Sequence, residues 1–91
     1  MNLSETELEM VTKLAGLFYT PREIALMIEA DTDDFDAAVR AESGVVFNAY
    51  SKGYYEADIE LRTCIRESAL QGSSPAQGLL REIQKQSKVL L

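Results

Sequence analysis

Tyr19-Thr20-Pro21-Arg22-Glu23-Ile24 constrains the fold more than any other stretch of this chain, because three separate helix-start signals coincide in it. Thr20 offers a capping hydroxyl. Pro21 stands at the first helical position, where a missing N–H costs nothing, and Glu23 stands where its carboxylate can reach back to the cap N–H. Tyr19 and Ile24 occupy the positions of a hydrophobic staple, which fixes the angle at which the chain enters the helix. A helix so sharply begun, about one turn after an apolar first helix, is the sequence pattern of a helix-turn-helix unit.

The neighbouring segments fit that reading. Ser4-Glu5-Thr6-Glu7 is a second capping box, and Leu8, Val11, Leu14, Ala15 and Phe18 recur at helical spacing, so a first helix is expected over residues 5–18. Gly16 near its end would let another helix approach closely, at a cost of about 1 kcal/mol relative to Ala. The second helix is expected from Pro21 to about Glu29, with Ile24, Ala25 and Ile28 inward and a turn at Ala30-Asp31-Thr32. Either Asp31 or Thr32 can cap a third helix whose core face is Phe35, Ala38 and Val39, and Ser43-Gly44 breaks the pattern behind it.

A much longer helix follows, from Val45 to Gln71, closed by Gly72 in a left-handed cap. At about 40 Å it is longer than a three-helix unit of this size is wide, and it needs a further surface to lie on. Ser74, Pro75 and Gln77 then read as cap, first position and box partner of a last helix reaching about Lys88. The expected architecture is all-α: an N-terminal trihelical helix-turn-helix unit over residues 1–44, followed by a long antiparallel α-hairpin over 45–91. On the long helix Val46, Tyr50, Gly53, Ala57, Leu61, Cys64 and Ser68 form one stripe, widened by Ile65 and Ala69. The last helix carries Ala76, Leu80, Ile83, Ser87 and Leu90 in a coiled-coil-like seam. That is more apolar surface than a hairpin covers by itself, and a chain of 91 residues buries only about 60–65% of what it exposes when unfolded. Self-association is expected through Val46, Tyr50, Gly53, Ala57, Leu61, Ile65, Leu80, Ile83 and Leu90. The tyrosines Tyr50, Tyr54 and Tyr55 fit burial against helices or a neighbouring subunit better than stacking on bases.

Composition narrows the function classes. The chain has no histidine and one cysteine, Cys64, so zinc sites, histidine-based catalysis and an intrachain disulfide have nothing to be built from. Asp31, Asp33 and Glu42 match three positions of a calcium loop, but Phe35 and Asp36 stand where a ligand and a glycine are required. No nucleophile with its base, phosphate-cradling glycine loop or paired acid and base is evident, so neither catalysis nor a cofactor is expected. The N-terminal sequence lacks a basic and apolar leader and no run approaches a membrane span, which reads as a soluble cytoplasmic chain. The net charge of −6 is uneven: residues 1–50 hold three bases against ten acids, while residues 51–91 hold six bases against five. Lys and Arg supply most non-specific DNA affinity, so the half expected to read DNA is the acidic half. Its few cations, Lys13, Arg22 and Arg40, are the candidate phosphate contacts.

The order of these signals, with Thr20-Pro21-Arg22-Glu23-Ile24-Ala25, then Ala49-Tyr50-Ser51-Lys52-Gly53, then Ala69-Leu70-Gln71-Gly72-Ser73-Ser74-Pro75-Ala76-Gln77, resembles the small subunit of tailed-phage terminases over about Leu14 to Gln86. The resemblance implies an N-terminal unit that binds packaging-initiation DNA, a hairpin that assembles subunits into a ring, and a C-terminal segment that engages the large terminase subunit. Here Asp33, Asp34 and Asp36 occupy the start of the third helix, where that family usually places basic or polar residues. The C-terminal segment is expected to be missing or reduced to Lys88-Val89-Leu90-Leu91. Two alternatives share the pattern: a phage or mobile-element interaction subunit that binds no DNA, and a small helix-turn-helix transcriptional regulator.

Overall fold

The structure is a computed structural model that describes the backbone from Met1 to Leu90 and the side chains through Ser87. The expected interface role of Leu90 and the expected 88–91 segment lie outside the described side chains. The chain is all-α: α1 (Glu5–Gly16), α2 (Pro21–Met27), α3 (Thr32–Arg40), α4 (Val45–Leu70) and α5 (Ser74–Leu90), with no strand among the described residues. It divides into two compact units, Met1–Asp58 and Ile59–Leu91, and α4 contributes its first half to one and its second half to the other.

Local chemistry fixes the helix starts. The Glu7 N–H donates to Ser4 Oγ while the Ser4 N–H donates to Glu7 Oε1, at 3.1 and 2.9 Å. Thr20 and Glu23 repeat this exchange at 3.2 and 2.9 Å, with Pro21 opening the helix. Between the two candidate caps of α3 the structure selects Asp31, whose Oδ1 accepts from the Asp34 N–H at 2.9 Å. At α5 the cap is Ser73, one residue earlier than the spacing suggests. Its Oγ accepts from the Ala76 N–H at 3.3 Å, and the Gln77 amide donates instead to the Ala69 carbonyl at 3.1 Å.

The helix ends share one geometry. Tyr19 N–H donates to Leu14 O, Ala30 N–H to Ala25 O and Ser73 N–H to Ser68 O, each a six-residue closure around a left-handed residue. Gly72, at φ 101°, suits that position; Phe18 at 66° and Glu29 at 59° do not, since a side chain there crowds the following carbonyl. These closures stop α1 and α2 at Gly16 and Met27, two residues short of the expected ends.

In the first unit α1 turns Val11, Leu14 and Ala15 inward, α2 adds Ile24 and Ala25, α3 adds Phe35 and Val39, and α4 adds Val46. Phe35, Ile24 and Val11 are fully enclosed, and removing a ring buried like Phe35 costs about 3–5 kcal/mol. No polar or charged residue is buried among the described ones. The first turns of α4 are held against α1 by backbone contact. A Cβ on Gly53 would overlap the Thr12 carbonyl oxygen and lie 2.8 Å from its carbon, and one on Gly16 would lie 3.3 Å from the Gly53 oxygen. The Thr12 hydroxyl adds a bridge, lying 3.1 Å from both the Leu8 carbonyl in its own helix and the Ala49 carbonyl in α4.

In the second unit the later half of α4 meets α5 through the turn at Gln71 and Gly72, with Ala69 and Ala76 buried beside it. Ile65, Leu80 and Ile83 are half-buried, while Ile59, Leu61, Leu70 and Leu79 are exposed.

Two expectations follow. Gly53→Ala should lower the stability of the first unit by about 3 kcal/mol, because the clash is with backbone that cannot rotate away. Gly16→Ala should be close to neutral, its tighter contact offset by about 1 kcal/mol of helix propensity. Equal effects in denaturant titrations would refute this reading of the crossing. Separately, Glu29→Gly should stabilise by about 0.5–1 kcal/mol, by relieving the left-handed strain and removing an anion from the negative end of α2. A lowered midpoint would contradict it.

Candidate nucleic-acid interface

The expected phosphate contacts are all exposed, but they differ in what surrounds them. Lys13 lies in the last turn of α1 and Arg22 directly follows Pro21 at the start of α2. Arg40 closes α3, and its Nε donates to Asp36 Oδ2 at 2.9 Å. That hydrogen bond, reinforced by the charge of Asp36, raises the Arg40 pKa above its ordinary value. Of the three cations, Arg40 is therefore already matched by an anion one turn away.

Helix N-termini are the other place where a phosphate could be held, since their free N–H groups and dipole favour anions. At α1, α2 and α3 these positions are taken by the chain's own side chains: Ser4 and Glu7 at α1, Thr20 and Glu23 at α2, and Asp31 at α3. The Thr20 backbone N–H, followed by its hydroxyl, holds the Glu23 carboxyl below its ordinary value. Beyond the cap, α3 exposes Asp33 and Asp34, with Asp36 half-exposed and bound to Arg40. The whole first unit carries four bases against twelve acids, a net charge of −8. A phosphate backbone approaching α3 meets repulsion that Lys13 and Arg22 offset only in part.

Beside the charged face lies an aromatic depression of about 340 Å³, open to solvent and lined by Val39, Phe47, Tyr50, Ser51, Tyr54 and Tyr55. Tyr54 is its centre. The Phe18 ring meets it edge-on at 5.4 Å, Tyr50 lies parallel at 6.3 Å and Tyr55 edge-on at 5.3 Å. Tyr50 and Tyr54 are half-buried and Tyr55 is exposed. Burial, then the neighbouring Tyr54, pushes the Tyr50 hydroxyl pKa up, with Arg40 acting in the opposite direction. Two of the three rings thus pack within the unit, and one presents its face to solvent.

The stripe expected to join subunits is divided by the fold. Val46 belongs to the apolar cluster of the first unit and Gly53 is pressed on α1, so both positions are covered within the chain. The reason is the α1–α4 crossing, which a one-helix periodicity does not reveal. Tyr50, Ala57, Ile65, Leu80 and Ile83 are half-buried, while Leu61 and Cys64 are exposed. Helical periodicity does not reveal the three exposed residues Leu17, Phe18 and Tyr19 at the α1–α2 corner, because the closure of α1 at Gly16 is what turns Phe18 out of the helical stripe.

Comparison with known protein families, with curated proteins and with solved structures returns no match. The functional reading therefore rests on residues and geometry. Among the described residues no three His, Cys, Asp or Glu side chains are grouped to hold a metal ion, and no helix is long and apolar enough to cross a membrane.

The lowered Glu23 pKa fixes the sign of a pH effect. A carboxyl whose folded value is depressed contributes stability that is present above the ordinary value of 4.5 and is lost as pH falls through the lower folded value. Glu23→Gln keeps an acceptor at the box position and removes the titration, so its melting temperature should fall less steeply than that of the parent between about pH 5 and about pH 2. Parallel declines would exclude a role for this carboxylate in acid sensitivity.

Proposed function

We propose that this chain is a non-enzymatic subunit of the small-terminase type, in which α1–α3 act as a helix-turn-helix unit and the later half of α4 forms with α5 an oligomerising hairpin. The observation that carries the proposal is the imbalance of the second unit. Only Ala69 and Ala76 are fully buried among its described side chains, while Ile59, Leu61, Leu70 and Leu79 remain 48–72% exposed. A two-helix unit with so small a core gains little from folding alone, and exposed apolar surface of this kind is covered by association. Assembly into a ring or another homo-oligomer would supply that cover. It would also multiply the few cations of each first unit, so that Lys13, Arg22 and Arg40 bind double-stranded DNA usefully only in many copies. In this reading the assembly helps a packaging motor recognise DNA in the host cytoplasm, with the large terminase subunit as its further partner.

The acidic surface of α3 supports a second reading, an interaction subunit from a phage or mobile element that docks a basic protein and binds no DNA. A small transcriptional regulator with an oligomerising tail has no comparable support, since α3 would have to enter the major groove with Asp33 and Asp34 exposed.

Light scattering should find a multimer at micromolar concentration, and Leu61→Asp or Ile83→Asp should dissociate or unfold it, because an unpaired charge in a closed apolar contact costs several kcal/mol. A monomeric parent would end the assembly proposal. In DNA titrations the multimer's affinity should fall steeply with salt and weaken in Arg22→Ala and Arg40→Ala without loss of assembly. Asp36→Asn, which releases Arg40 from its ion pair, should tighten it. No DNA binding at low salt by parent or Asn-substituted multimer would leave the protein-docking reading.

A further inference from the structure

Four of the five glycines have a reason within the chain. Gly16 and Gly53 let α1 and α4 touch, and Gly44 and Gly72 take positive φ angles. Gly78 has neither reason. It sits inside α5, where glycine costs about 1 kcal/mol relative to Ala, and a Cβ built there would meet nothing within 4 Å. Arg81 and Lys85 lie three and seven residues further on, so all three residues share one helix face. Both cations are exposed, Lys85 holding only a 3.4 Å rim contact with Glu82. This face of α5 is small at one point and beyond it carries Arg81 and Lys85, with Glu82 between them reaching Lys85.

We infer that this face of α5 docks on the exposed face of α3 in a second copy of the chain. Charge complementarity identifies the occupant. The first unit carries −8, whereas the second holds five bases against three acids, a net of +2. The exposed face of α3 presents Asp33 and Asp34 one turn before the exposed Ala37, and neither carboxylate has a side-chain ion pair among the described residues. With the two helices antiparallel and Gly78 opposite Ala37, the small residues allow the axes to approach to about 8 Å. One turn away along each helix, Arg81 then faces Asp33 and Asp34, with Lys85 following. The contact joins unlike surfaces of two copies, so it is heterologous and propagates head to tail, closing into a ring where the rotation allows. It also accounts for an acidic α3 in a chain whose other features suggest DNA handling: those carboxylates meet protein cations. The inference rests on the assembly proposed above.

Sedimentation velocity on the full chain at low salt tests it, with two charge-reversed variants, Asp33→Lys/Asp34→Lys and Arg81→Glu/Lys85→Glu. Each alone should weaken assembly by more than about tenfold, because each sets like charges against each other. Mixing the two variants, or combining all four changes in one chain, should restore it. Gly78→Leu should also block assembly while leaving helicity, compared at dilutions where the parent is dissociated, equal to the parent's or higher, since nothing described crowds that position and leucine is the better helix former. A parent multimer indifferent to all three variants would overturn this contact and leave the wider assembly reading standing, whereas a parent monomer would overturn both. Loss of double-stranded DNA binding in Arg81→Glu/Lys85→Glu with assembly intact would overturn the contact too, and would assign the α5 face to nucleic acid.

Discussion

The close crossing of α1 and α4 is the constraint from which the first unit takes its form. Backbone meets backbone where Gly53 lies on the Thr12 carbonyl, and Gly16, one turn further along α1, leaves room for the Gly53 carbonyl. Nothing larger than hydrogen fits at Gly53, so the register of the two helices is set to a single residue. The Thr12 hydroxyl, shared between the Leu8 and Ala49 carbonyls, adds a directional contact to a steric one. Once α4 is held in this way, Val46 reaches the cluster around Phe35 and Ile24, and Tyr50 and Tyr54 come to lie beside Val39 and Phe18.

The same unit shows how fold pattern and electrostatics can point to different partners. The helix order resembles that of a groove reader, yet the starts of α1, α2 and α3 are filled by the chain's own acceptors, and Arg40 is drawn toward Asp36. Cations that contact phosphate well are normally uncommitted, and acidic side chains within a Debye length, about 10 Å at moderate salt, work against them. On the proposed reading, affinity for DNA in such a unit would come from the number of copies presented together, which would tie a nucleic-acid role to the apolar surface left on Ile59, Leu61, Leu70 and Leu79.

What could be read from sequence divides along the range of the interactions involved. Helix starts at Ser4 and Thr20 were legible because the donor and acceptor lie three residues apart, and both ends of α4 because glycine marks each turn. The cap of α5 was misplaced by one residue, since Ser73 and Ser74 offer the same hydroxyl and only the three-dimensional turn chooses between them. The role of Gly53 was out of reach for a different reason. Gly16 signalled that some helix would come close, but a periodic stripe on α4 assigns Gly53 to a face without saying which helix covers it. Tyr50 and Tyr54 pack against the first unit as their spacing implies, whereas Tyr55 is exposed. The candidate cations are identifiable by residue type, and the neutralising contact at Arg40 follows from its i,i+4 spacing from Asp36 on one helix.

Phe18 carries a consequence of its own. Its backbone sits in a conformation that favours glycine, while its ring supplies the edge that packs on Tyr54 at 5.4 Å. Local preference and long-range contact make opposing demands on one residue, a small instance of frustration within an otherwise consistent fold. Glycine would satisfy the turn and leave the tyrosine uncovered. A second aromatic would cover the tyrosine and keep the strain, and a β-branched residue would satisfy neither. The corner between α1 and α2 is therefore held by a compromise, with the hydrogen-bonded closure of α1 on one side and the aromatic contact on the other.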